Sequence, residues 1–83
     1  MADWHWEPVT GDLLDGLPTA ALAAVHQVAG ELTVRESMIF LDGREFMGEP
    51  PGLRTIQRGR LMLVYLTDVR GERVVIIQVN WLG

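Results

Sequence analysis

Residues 61–82 hold two apolar runs, LMLVYLTD and RVVIIQVNWL, separated by Val69-Arg70-Gly71-Glu72. Runs rich in β-branched residues and hinged on a glycine-containing turn form an antiparallel hairpin. A lone hairpin is marginal in water, so at least one more strand and a covering layer are required. The strand is supplied by Leu53–Arg58, joined to the hairpin at Gly59. The sequence therefore predicts a three-stranded antiparallel meander over Leu53–Arg58, Leu61–Asp68 and Arg73–Leu82. In its last strand Val75, Ile77, Val79 and Trp81 alternate onto one wholly apolar face, expected against helices. Val74 and Ile76 begin the opposite face, and Gln78 and Asn80 finish it, leaving a half-polar surface open to solvent or a partner. Gly71 is expected to supply a positive φ in the turn.

The covering layer comes from the N-terminal half. DWHWEPV alternates, with Trp4 and Trp6 on one face and His5 and Glu7 on the other, as a short strand does. TGDLLDGLP predicts a short helical segment with Thr10 as N-cap and a stop near Gly16. Pro18 then opens a second helix, where proline is tolerated. Leu22, Val25, Ala29 and Leu32 recur at i, i+3, i+7 and i+10 and form its apolar stripe, with His26, Gln27, Gly30 and Glu31 largely off it. SMIFL fits either an extension of this helix or a short strand. Asp42-Gly43 and Glu49-Pro50-Pro51-Gly52 are turns. The expected fold class is α+β in one domain, 1–83: an N-terminal strand, a two-helix hairpin, then the antiparallel meander.

Composition narrows the function. The chain has 83 residues, no cysteine and a net charge of −4. Disulfides and the common structural zinc sites are excluded, and a reducing, cytoplasmic setting is the expectation. No apolar run approaches the roughly 20 residues of a membrane helix, and MADWHWEP lacks the apolar core of a signal peptide. Residues 1–34 hold five acids and no Lys or Arg; residues 35–83 hold all seven Arg and six acids. General nucleic-acid affinity comes mainly from neutralising phosphates, so any RNA contact must be local. The acids of residues 1–34 suit either a basic partner or plain solubility.

Element order and local pattern together resemble the RelE/ParE superfamily of bacterial toxins. DLLDGLPTAALAAVHQVAGEL is similar to that family's leucine-proline junction and second helix. EPPGLRTIQRG is similar to its turn-rich stretch, LMLVYLTDV to its strand with a V-Y pair, and RVVIIQVNW to its apolar last strand. The resemblance implies a toxin of a type II toxin–antitoxin pair with an antitoxin protein as partner. RelE-type members cleave ribosome-bound mRNA, whereas ParE-type members poison DNA gyrase. In RelE-type cleavage the substrate's 2′-OH attacks the neighbouring phosphate, and the protein supplies positive charge and a proton-moving group. Arg54 and Arg58 match basic positions at the start and end of the second strand, and Tyr65 matches the V-Y tyrosine. Met62 stands where the family places an arginine, and NWLG where it usually ends in basic residues. Losing one such donor costs about 3–4 kcal/mol of transition-state stabilisation.

The candidate site set follows. Arg54 and Arg58 alternate onto one strand face around Ile56, with Arg60 just past the turn, as a clamp for phosphate or carboxylate. The plainer reading is three solvated arginines paired in part to Asp68 or Glu72. Arg54, Arg58 and Arg60 are thus the candidate catalytic residues, and together with Tyr65, Gln78 and Asn80 they are the candidate RNA-binding or partner-binding residues. No cofactor is implied. His5 and His26, the only histidines, lie in no metal-ligand spacing. Ser37 lies in no nucleophile motif. Trp4 and Trp6 suit base stacking or, more commonly, a core or interface anchor. The competing class is a non-enzymatic interaction module on the same fold, and a homodimer is a further expectation for so small a domain.

Overall fold

A computed structural model of the chain describes residues 3–83. Four strands, β1 (His5–Pro8), β2 (Arg54–Arg58), β3 (Leu61–Asp68) and β4 (Arg73–Trp81), and one helix, α1 (Thr19–Ile39), make up an α+β fold. The sheet order is β1-β4-β3-β2. The predicted meander is present, with β3 pairing antiparallel to both β2 and β4. β1 joins the sheet parallel to β4, with His5 opposite Arg73 and Glu7 opposite Val75.

The two-helix hairpin is not formed; a single helix covers the sheet. Residues 10–16 are turns, closed by Leu13 N–H to the Thr10 carbonyl (3.3 Å) and Asp15 N–H to the Asp12 carbonyl (3.1 Å). Between Pro8 and Pro18 the chain has too few residues to repay helix nucleation, which fixes three residues for one hydrogen bond. Gly11 and Gly16 add backbone entropy, Gly16 adopts φ 81°, and Pro18 disfavours helical backbone at Leu17. Leu13, Leu14 and Leu17 still pack on the core, so the segment covers one corner without being a helix.

Pro18 holds the N-cap position of α1 with no side-chain cap. SMIFL extends the helix as far as Ile39, and Phe40 N–H closes the last turn on the Glu36 carbonyl at 2.9 Å. Val25, Val28, Ala29 and Leu32 pack on Leu61, Leu63, Tyr65, Val74 and Ile76 to form the core. Phe40 and Phe46 meet edge-to-face at 5.3 Å beyond the helix end.

A β-bulge in β4 decides which residues face the helix. Val64 pairs with Gln78 but Tyr65 pairs with Ile76, so Ile77 is the extra residue. Before the bulge Val74 and Ile76 face α1; after it Val79 and Trp81 do. Directly opposed residues share a face, so Val75, opposite Leu66, points away from the helix. The single apolar face Val75-Ile77-Val79-Trp81 expected from alternation is therefore split between the two sides of the sheet.

The hairpin turns use different backbone devices. Gly59 at φ 60°, followed by Arg60 at negative φ, gives the two-residue turn between β2 and β3 a II′ form. In the β3–β4 turn the positive φ falls on Glu72 (52°) and not on Gly71. Gly71 instead lies against Asp68, whose Oδ1 accepts its N–H at 3.2 Å.

Candidate functional site

β2 is an edge strand, and its side chains on the helix side are Arg54, Ile56 and Arg58, opposite Tyr65, Leu63 and Leu61 of β3. The two arginines therefore reach toward α1. Along a strand rising about 3.3 Å per residue, Arg54 and Arg58 start roughly 13 Å apart, and each finds its own acid on the helix.

Arg54 Nη2 donates to Glu36 Oε1 and to Thr67 Oγ1 (2.6 Å), and Thr67 Oγ1 donates to the same carboxylate oxygen at 2.7 Å. Arg35 flanks the group, with Nε 3.9 Å from Glu36 Oε2 and Nη2 donating to the Tyr65 hydroxyl at 2.8 Å. The Arg54 guanidinium also lies 5.1 Å from the centroid of the Tyr65 ring, within cation–π range. Glu36 is fully buried, and Thr67 nearly so. Glu36 Oε2 and Arg54 Nε are buried without a hydrogen-bond partner. At the other end of β2, Arg58 Nη1 donates to Glu31 Oε1 at 2.9 Å, and both side chains are about half exposed. The Arg58 hydrogen bond holds the Glu31 carboxyl below its usual pKa.

The proposed clamp is thus not assembled. A phosphate reaching Arg54 would have to displace Glu36 and leave a buried carboxylate unpaired, a loss of about 3–5 kcal/mol. Arg58 is held only by a surface pair, worth about 0–1 kcal/mol. Arg60 sits at the exposed hairpin tip, and no ion pair to it is present among the described residues. Tyr65 is 3% exposed and faces the helix, so neither RNA nor a partner can reach its ring. Asp68 and Glu72, the acids expected to balance these arginines, serve Arg73 and Arg44 instead. Arg35 and Glu36 are functional neighbours absent from the candidate set, and Glu36 carries a signal in the sequence: it continues the apolar stripe Val25-Ala29-Leu32 at the next helical step. An acid on a buried stripe implies a cation from the facing strand.

Gln78 and Asn80 do lie together, on the sheet face away from α1, opposite Val64 and Met62. That face has three zones. At one end Arg73 Nη1 donates to Glu7 Oε1 (2.8 Å) and Arg73 Nε to Asp68 Oδ2 (2.7 Å), with His5 Nε2 3.4 Å from Glu7. Hydrogen bonds from Arg73 are the main cause holding both carboxyls below their usual pKa. The middle is apolar: Met62, Val64, Leu66 and Val75, with Ile77 at the bulge. The far end carries the amides Gln57, Gln78 and Asn80. Within it Val75 is buried and Met62, Val64, Leu66 and Ile77 are half-buried, while Gln57 and Gln78 are exposed.

His26 packs edge-to-face on Trp6 at 5.1 Å, and Trp6 is half-buried against the core, as an anchor is. Among the described residues no group of three or more His, Asp or Glu is placed to hold a metal ion, and no helix is long and apolar enough to cross a membrane. Comparison with protein-family models, curated proteins and solved structures gives no match.

Proposed function

We propose that this chain is a non-enzymatic protein-interaction module that presents the open face of its sheet to a protein partner. The observation that carries this reading is that two of the three candidate arginines are paired: Arg54 with the buried Glu36 and Arg58 with Glu31. Preorganised positive charge is what phosphodiester cleavage most needs from a protein, and these guanidiniums are already engaged. The open face supports the same reading. Its apolar centre, ringed by amides at one end and a closed ion-pair cluster at the other, has the anatomy of a protein interface, with charge held to the rim. A basic antitoxin and a folded regulator are both partners of that chemistry.

A second reading, weak RelE-type cleavage of ribosome-bound mRNA, draws support from Arg60 and the loosely held Arg58 at the hairpin tip. One experiment separates the two. A photo-crosslinking residue is placed at Gln57, Gln78 or Asn80 in cells, alongside mapping of mRNA ends on ribosomes. The interaction module predicts a discrete protein adduct that Val64→Lys abolishes, with no new mRNA ends. New mRNA ends that disappear in the Arg58→Ala, Arg60→Ala variant would favour the nuclease and sink the module.

A further inference from the structure

α1 carries only three charged residues in 21, Glu31, Arg35 and Glu36, and all three engage the β2 side through Arg58, Arg54 and Tyr65. At 100° per residue, Ala20, Ala23, Gln27, Gly30, Val34 and Met38 fall within about 40° of one line, on the side of the helix opposite the core stripe. This solvent-side line holds no charge. Val34 is 60% exposed and Met38 69%, with Leu41 just past the helix end at 75%. Exposed apolar side chains gathered along one line of a helix mark a contact surface.

The line is also graded in size. Its N-terminal half is small, with Ala20 and Ala23, and its C-terminal half is large, with Val34 and Met38, and Gly30 lies between them. We infer that α1 pairs antiparallel with α1 of a second copy of this chain about a dyad beside Gly30. In that register Met38 of each copy lies over Ala23 of the other, large on small, Val34 lies over Gln27, and the two glycines let the helices approach closely. Charge favours the same occupant. The first turn of α1 has no acid, its last turn no base and its N-cap no side-chain hydrogen bond. An antiparallel copy sets the positive end of one helix dipole beside the negative end of the other. In this register residues 22–39 of the two copies overlap, about 27 Å of helix, so a strip roughly 15 Å wide buries on the order of 800 Å² in total, the size of a weak interface. The dimer is accordingly a weak one, populated at high micromolar concentration. Its interface is on the far side of the molecule from the open sheet face and does not depend on what that face binds.

Sedimentation equilibrium of the full chain tests this. The expected mass at high micromolar concentration is twice the 9.3 kDa of one chain. Val34→Glu should weaken the dimer by roughly tenfold or more by placing two carboxylates in an apolar contact. Circular dichroism should show its helix content unchanged, because Val34 is 60% exposed and outside the core. Gln27→Arg added to Val34→Glu should restore the dimer, since these positions meet only in the antiparallel register. The chain has no cysteine, and an added Cβ at Gly30 meets nothing within 4 Å. Gly30→Cys should thus oxidise to a disulfide-linked dimer. A monomer throughout the range, a dimer indifferent to Val34→Glu, or failure of both the rescue and the Gly30→Cys cross-link would each overturn the inference.

Discussion

Removing Arg54 should destabilise this domain rather than silence a catalyst. Its Nη2 is the strong donor to the fully buried Glu36 carboxylate, whose other oxygen already lacks a hydrogen bond. Arg54→Ala leaves Glu36 with Thr67 and a distant Arg35. Breaking a buried pair from one side costs about 3–5 kcal/mol. The Arg54 side chain is 35% exposed, so water can enter the space it vacates and the lower end of that range applies. A domain of this length has a total stability on the order of 4–12 kcal/mol, so a loss near 3 is a large share. With a urea m-value near 1 kcal/mol/M, the denaturation midpoint should fall by about 3 M. The control is Arg54→Ala with Glu36→Leu, which removes the orphaned charge and fills its space. That variant should recover most of the loss, because replacing both partners of a buried pair with apolar groups is often neutral. If Arg54→Ala shifts stability by less than about 1 kcal/mol, or if the double variant is no more stable than the single, the buried pair does not organise this site.

Three further outcomes are expected. Asp68 and Glu7 have native pKa values lowered by Arg73, so the stability they give is present above their ordinary values of 3.8 and 4.5 and is lost as pH falls through the lowered native ones. Arg73→Ala should flatten the acid limb of a stability–pH curve below about pH 4.5 and leave its neutral region nearly parallel to that of the parent. Trp81 is only partly buried against the core, so Trp81→Ala should cost about 1.5–3 kcal/mol by chemical denaturation, less than a fully enclosed ring. Gly59→Ala places a Cβ on a residue at φ 60° with open space around it, so only the backbone resists; thermal melts should show a loss of about 1 kcal/mol.

The elements written in short-range pattern are the ones the sequence gives away. The meander from Arg54 to Trp81 follows from alternation and from Gly59, and α1 follows from the Leu22-Val25-Ala29-Leu32 spacing. The missing first helix is a limit of the same reasoning: Leu13, Leu14 and Leu17 have an amphipathic look, but two glycines and a following proline leave no length for nucleation. Gln78 and Asn80 could be placed on an open face because they lie past the apolar run of β4.

The pairing of charges could not be read that way. Arg54 and Arg58 alternate onto one strand face in the sequence, which fits a clamp as well as it fits two separate ion pairs. Which of these forms depends on where α1 lies over the sheet, close enough to the β2 edge for Glu36 and Glu31 to meet them, 18 and 27 residues away along the chain. The bulge at Ile77 is a second such decision. No residue in RVVIIQVNW marks it, yet it turns Val75 away from the helix and brings Val79 and Trp81 toward it. Sequence alone settled the period of each element, because period is a property of neighbouring residues and their φ/ψ preferences. Tertiary structure settled which face is covered and which arginine is neutralised, because both depend on where one element is held against another.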